Sequence, residues 1–368
     1  MNTCKKPCFY LLFTDGCSIF VQQYDDMGNK YSLPPEWAEQ SAIQLTWPHG
    51  NTDWREYLDD INAVYVEMAD AITRHEHLIV ATPEPENVLA QLEKRLTESQ
   101  LAKVTLHKCP TNDTWARDHG FITLTGDGQP RLLDFRFNGW GEKFPADLDN
   151  AINRSLYINK VVCGEYENHD DFVLEGGSIE SDGRGTVFTT SQCLLAPHRN
   201  QPLTRTEIEQ RLKEYLCAER IIWIDHGRLE GDDTDGHIDT LVRTAPCDTL
   251  LYIRCTDERD SHYGELRLME EQLKTFKTID GRPYRLLPLP MPHPVYDGDD
   301  RLPATYANFV IINGAVIYPT YGQPDNDAEA ARVIGEAFPG RELIGIDSLT
   351  VVRQHGSLHC CTMQFPKN

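Results

Sequence analysis

No run in this 368-residue chain approaches the ~20 consecutive apolar residues that a helix needs to cross a bilayer. Basic charge is scarce: 35 Lys and Arg stand against 57 Asp and Glu, a formal net charge of −22. That balance is a poor fit to proteins that bind nucleic acid or anionic membrane, which rely on basic surface. Neither Walker spacing nor GxGxxG occurs, so no phosphate loop is expected, and no HExxH or comparable ligand spacing marks a metal site. The eleven cysteines include no CxxC pair. Scattered and odd in number, they fit a reducing cytoplasm better than a disulfide framework, most of them serving as small buried hydrophobes. The apolar run Cys8–Phe13 behind Lys5-Lys6 stops at Thr14-Asp15, short for a signal-peptide core of about 7–15 residues. A cytoplasmic protein is expected.

What is present suits a large globular domain, with 40% hydrophobic and 25% charged residues. Residues 1–30 differ from the rest and form an N-terminal extension of unknown role, with Met27 as an alternative start. A single domain over 31–368 follows, beginning near Leu33-Pro34-Pro35-Glu36-Trp37. No Gly/Ser linker divides it and no exact internal repeat is visible. Strand-like runs enriched in β-branched and aromatic residues cover Ile43–Trp47, His77–Ala81, Lys103–Lys108, Gly120–Thr125, Arg131–Phe137, Gly185–Thr190, Arg220–Ile224, Thr249–Arg254, Phe309–Ile312 and Ala315–Pro319. Helical patterns cover Trp54–Arg74, Pro85–Ser99, Asp147–Lys160, Thr204–Tyr215, His262–Phe276 and Asp325–Ala337. Thr204-Arg205-Thr206-Glu207 is a capping-box sequence. The alternation predicts an α/β protein of repeated ββα-like modules whose loops jointly build a site.

Several polar clusters could supply that site. In an extended Gly236-His237-Ile238-Asp239, His237 and Asp239 would face one space, offering a general acid/base beside a carboxylate. The preceding Arg228–Asp235 holds four carboxylates in eight residues, more than a turn requires. In Asn112–Asp118, Trp115 can cover a planar cation and Asp118 can accept two guanidinium hydrogen bonds; an Arg117–Asp118 structural pair beside a core tryptophan is the plain alternative. Glu175 precedes Gly176-Gly177, where the backbone can approach a ligand closely or merely turn. Phe137–Lys143, with Trp140, is an aromatic loop that could wall a pocket. Near the C-terminus, His359-Cys360-Cys361 offers a nucleophile, and in a strand only one of the two thiols would enter the site. Taken singly, each cluster also has a bland structural explanation.

Together they resemble the agmatine deiminases, the bacterial peptidylarginine-deiminase-type branch of the guanidino-modifying enzymes. The resemblance runs from Leu33 to Pro366 and rests on Leu45–His49, Asn112–Asp118, Phe137–Lys143, Glu175–Ile179, Ser191–Leu195, Asp232–Asp239, Tyr306–Phe309 with Asn313-Gly314, and His359-Cys360. It implies a pseudo-fivefold α/β propeller of ββαβ-like modules with a central acidic cavity and neither metal nor organic cofactor. Cys360 is then the nucleophile and His237 the acid/base. Asp118, Glu175 and Asp239 hold the guanidinium, Trp115 and Trp140 line the pocket, and Asp233 and Asn308 bind substrate. Such proteins are often homodimers, so a homodimer is expected.

The expected substrate is a small cationic guanidine, agmatine, hydrolysed to N-carbamoylputrescine and ammonia for polyamine synthesis or agmatine catabolism. Its distal amine would meet Asp232-Asp233, whereas arginine's carboxylate would want an arginine partner such as Arg136, Arg243 or Arg254. The alternatives are an arginine or peptidylarginine deiminase, an amidinotransferase, a metal-dependent hydrolase built on His237, Asp239, Glu175 and Asp118, and a binding protein with a dead cavity. His355-Gly356-Ser357-Leu358 and Cys361 depart from the family pattern, which bears on substrate detail more than on reaction class.

Overall fold

The computed structural model describes residues 31–368 together with the strand pair Phe13–Thr14 and Cys17–Ser18. The expected extension over 1–30, its apolar run and Met27 otherwise lie outside the described residues. The chain builds a mixed α/β structure in which one sheet pattern recurs five times among the described residues. Each recurrence is an antiparallel pair followed by a strand that joins it in parallel.

The first sheet is assembled from both ends of the chain. Thr362–Pro366 runs antiparallel to Gln40–Thr46, against which His77–Thr82 lies parallel, followed by Val104–Lys108. The second pairs Ile122–Leu124 with Arg131–Arg136 and adds Glu165–Val173 in parallel. The third uses Ile179–Ser181, Thr186–Thr190 and Arg220–Ile224; the fourth, Val242–Ala245, Thr249–Arg254 and Arg285–Pro290. The fifth uses Val310–Ile312, Ala315–Thr320 and Glu342–Asp347. A parallel strand needs a long crossover, and helices Leu58–His75, Ile152–Ile158, Arg205–Tyr215, Tyr263–Leu273 and Pro324–Ala337 supply it.

Local chemistry accounts for these elements. The expected capping box forms: the Thr204 side chain accepts from Glu207 N, and Glu207 Oε2 accepts from Thr204 N at 2.7 Å. Ile208, Leu212 and Leu216 bury one face of that helix. The expected helix Pro85–Ser99 is instead divided. It ends at Leu92, and a second turn, Glu98–Leu101, begins where Thr97 and Gln100 form their own capping box. Trp54–Arg74 opens as a 3-10 turn, Asp53–Tyr57, before becoming α-helical. The strands that lacked a sequence signal are mostly sheet edges or short. Glu165–Val173 is charge-rich and largely exposed, and Arg285–Pro290 carries prolines that an edge tolerates. No helix among the described residues is long and apolar enough to cross a membrane.

One buried cation ties the third, fourth and fifth sheets to the start of the domain. Arg243, fully buried, donates from Nε to Glu180 Oε1 and from Nη2 to Glu36 Oε2, both at 2.5 Å. It also donates to the carbonyls of Ala307 and Phe309. Glu180 and Glu36 in turn accept from the backbone of Thr244 and Ile311. Removing one partner of a buried pair strands the other charge, at a cost of ~3–5 kcal/mol. Arg243→Met is expected to lower the unfolding free energy measured in urea by that amount, whereas Thr204→Ala on the exposed capping box loses only ~1 kcal/mol. Equal losses in the two variants would contradict a central role for Arg243.

Candidate active site

The recurring sheet pattern places five short turns at equivalent positions, each immediately ahead of the first strand of its sheet. Asp118 lies in the turn Ala116–His119 before Ile122, and Glu175 stands at the head of the 3-10 turn Gly176–Ser178 before Ile179. His237 and Asp239 flank the start of the 3-10 turn Ile238–Thr240 before Val242. Asn308 precedes Val310, and Cys360 precedes Thr362. The chain therefore forms a 3-10 turn at Ile238–Thr240, not an extended run through Asp239, and Cys360 precedes the strand that starts at Thr362. Tight turns, not strand alternation, aim these side chains.

The side chains converge. Cys360 Sγ lies 3.8 Å from Asp239 Oδ2 and 3.4 Å from Asn308 Oδ1. His237 Nδ1 lies 3.6 Å from Asp118 Oδ1. Gly177 forms the floor between them: a Cβ there would sit 2.6 Å from His237 Nδ1, 2.8 Å from Asp118 Oδ1 and 3.2 Å from Asp239 Oδ2. Glycine is required by this close approach. Its N–H donates to Asp118 Oδ1 at 3.0 Å, and Trp140 Nε1 donates to Oδ2 at 2.9 Å. Trp115 meets Trp140 edge-on at 6.5 Å and presses on Gly356, where any Cβ would be 2.2 Å from the indole. Gly356 is thus indispensable in the run before His359.

Asn308 holds the nucleophile turn. Its Oδ1 accepts from His359 N at 3.0 Å and Cys360 N at 3.2 Å, and its Nδ2 donates to Asp239 O. These bonds tie it to the turn that carries Cys360. The acidic loop is equally structured. Asp232 accepts from Thr234 and Gly236 to close the turn, and Asp235 receives Arg199 and Lys143, each at 2.8 Å. Asp233, half-exposed, lies 3.8 Å from His355 Nδ1. Cys361 is buried in the hydrophobic core beside Tyr65, and burial pushes its thiol up to about 12.

Several residues had no signal of their own. His359, read only as the neighbour of Cys360, bridges Asp239 (Nδ1–Oδ2, 2.7 Å) and Glu36 (Nε2–Oε2, 2.7 Å), and so links the site to Arg243. Arg199 Nε fixes Glu175 Oε1 at 2.8 Å. Cys193, on the turn Ser191–Leu194, brings a thiol to within 4.8 Å of ligand atoms on His237 and Glu175. Only the motif Ser191–Leu195 hinted at it.

The electrostatics follow from burial. Asp118 is pushed up to about 6 by desolvation, the nearby His237 opposing and Asp239 and Glu175 assisting. Burial disfavours a charged His237, but Asp118, Cys193 and Glu175 together oppose it and hold the imidazole well above its ordinary value. The Cys360 thiol is raised well above 9 by burial, then by Asp239 and Asp118. Glu175 Oε2, Asp239 Oδ1 and both His237 nitrogens find no hydrogen-bond partner in the protein. Buried polar atoms are seldom left so, and two of these are carboxylate acceptors awaiting a donor.

The chain matches the model of the Porphyromonas-type peptidyl-arginine deiminase family over residues 32–366. It is 32% identical to the agmatine deiminase of Pseudomonas putida (strain F1), covering 91% of this chain and 95% of that one. Among solved structures, it is similar to a Porphyromonas gingivalis protein described as a candidate arginine deiminase (50% identity, TM-score 0.87, 92% of this chain and 99% of that one). It is also similar to a Cys-to-Ser agmatine deiminase of C. jejuni with substrate bound (39% identity, TM-score 0.86, 94% and 99% covered). The chain belongs to the Porphyromonas-type peptidyl-arginine deiminase family.

Proposed function

We propose that this protein is an agmatine deiminase that hydrolyses agmatine to N-carbamoylputrescine and ammonia through a covalent intermediate on Cys360. The observation that carries the proposal is the set of unpaired buried acceptors, Glu175 Oε2 and Asp239 Oδ1, beside Asp118 and the thiol. A guanidinium offers planar donors to such acceptors. Fixing its plane localises its charge and presents its carbon to sulfur.

Each residue then has a step. The arriving cation offsets the negative field that disfavours the thiolate, so Sγ ionises as substrate binds and releases its proton to solvent. Thiolate attack forms a C–S bond, and protonated His237 delivers its proton to the departing nitrogen as ammonia leaves. His237, now neutral, takes a proton from water, whose attack breaks the C–S bond and releases the ureido product. His359 and Asn308 act as positioning residues, the first on Asp239 and the second on the Cys360 turn. We read the five sheets as blades of a pseudo-fivefold α/β propeller and residues 31–368 as one catalytic domain. The recurring topology and the five equivalent turns support this.

Agmatine is favoured over arginine because the cations around the site are already engaged. Arg117 donates to His359 O and Gln364, Arg199 to Glu175 and Asp235, and Arg243 to Glu36 and Glu180. None is left to receive an α-carboxylate. Arg136 and Arg254 sit exposed at strand ends, whereas half-exposed Asp233 is available to the distal amine.

Two measurements test this. Ammonia and ureido product are expected from agmatine and not from arginine. Cys360→Ala is expected to lose roughly four orders of magnitude of that activity or more, and Cys361→Ser to keep most of it. Arginine turnover, or the reverse dependence on the two cysteines, would overturn the assignment. Iodoacetamide should alkylate Cys360 of the free protein slowly at pH 7.5, the rate climbing with pH past 9 because the thiol is held above its ordinary value. A rate already level by pH 8 would mean a thiolate is present before substrate arrives.

A further inference from the structure

We propose that Cys193, His237 and Glu175 form a binding site for a soft divalent cation of the zinc class, whose occupancy closes the catalytic cavity. One ligand atom from each residue lies within 4.8 Å of the others, and all three side chains are fully buried. Both ring nitrogens of His237 and Oε2 of Glu175 lack a hydrogen-bond partner in the protein. The other Glu175 oxygen is held by Arg199 at 2.8 Å, so Oε2 is a fixed donor. Cys193 is fixed too: it sits in a single helical turn whose Thr190 cap accepts its backbone N–H at 3.2 Å. The hydrolytic steps leave its thiol unused.

Sulfur, imidazole nitrogen and carboxylate oxygen make up the donor set that zinc takes at ~2.0–2.3 Å, with water completing a tetrahedron. A thiolate ligand disfavours calcium and magnesium, which prefer oxygen. Asp118 Oδ1, 3.6 Å from His237 Nδ1, adds negative charge beside the triad. The acidity that draws in a guanidinium would draw in a dication equally. Binding replaces the protons of the Cys193 thiol and the His237 imidazolium by the metal, releasing them to solvent. With His237 and Glu175 engaged, the acid/base and one guanidinium acceptor are withdrawn together, so the cation and the substrate exclude each other. That inhibition rests on the proposed deiminase activity; the binding itself does not.

The test is a calorimetric titration of zinc chloride into the metal-free full-length protein, repeated with Cys193→Ala and with the near-isosteric Cys193→Ser. Cobalt(II) serves as a second probe, through its thiolate charge-transfer absorption. One zinc per chain is expected in the unaltered protein, with affinity lowered roughly tenfold or more in both variants and the cobalt–thiolate band lost. Both variants should still turn over agmatine, now insensitive to zinc. Affinity and band that persist in the variants would overturn the site and place the cation on another thiol such as Cys360, as would the absence of stoichiometric zinc binding. If zinc binds through Cys193 but agmatine is not hydrolysed, the site stands and the deiminase assignment fails.

Discussion

The pairing of the last strand with the first is the contact on which the site depends. Thr362–Pro366 lies antiparallel to Gln40–Thr46, so the C-terminal segment becomes the opening strand of the sheet that begins the chain's fold. That register puts Cys360 in the same relation to its sheet as Asp118, Glu175, Asp239 and Asn308 have to theirs. Arg117 N donates to Cys360 O across the seam at 3.1 Å. Without this closure the nucleophile would hang on a free end while its partners remained in place. Fraying of these few terminal residues would therefore remove function before it removed the fold.

Gathering Asp118, Glu175 and Asp239 around one small space is costly, because each carboxylate gives up hydration. The protein offsets this with donors already aimed: Gly177 N–H and Trp140 Nε1 on Asp118, Arg199 on Glu175, His359 on Asp239. Beneath them the alternation Asp239–His359–Glu36–Arg243–Glu180 continues the pairing into the interior. Glu175 Oε2 and Asp239 Oδ1 are left without a partner in the protein. A rigid negative surface of this kind binds a planar cation with little reorganisation. Burial, then Asp239 and Asp118, raises the Cys360 thiol, so a cation bound beside those carboxylates would favour its ionisation.

Much of the site was legible in the chain, because Trp115–Asp118, Glu175-Gly176-Gly177, His237–Asp239 and His359-Cys360 concentrate reactive residue types in short stretches. Their local geometry was not. His237 and Asp239 suit strand alternation on paper, yet the backbone forms a 3-10 turn. The pairing of the supporting layer was not legible, since Glu36, Glu180 and Arg243 are far apart in sequence and each looks like an ordinary surface charge. Elements failed where charge masked periodicity, as in Glu165–Val173, or where a second cap interrupted a helical pattern, as at Thr97. The fivefold recurrence is one of topology: the residue ahead of each opening strand differs because each contributes different chemistry to one cavity.

The most direct test is to quench the protein in acid during agmatine turnover and measure its intact mass, then map any adduct by peptide fragmentation. The expected result is a species heavier by agmatine less ammonia, with the added group on Cys360 alone. An adduct confined to Cys361 or Cys193, or turnover with no covalent species under conditions that trap one when His237 is replaced, would contradict Cys360 as the nucleophile.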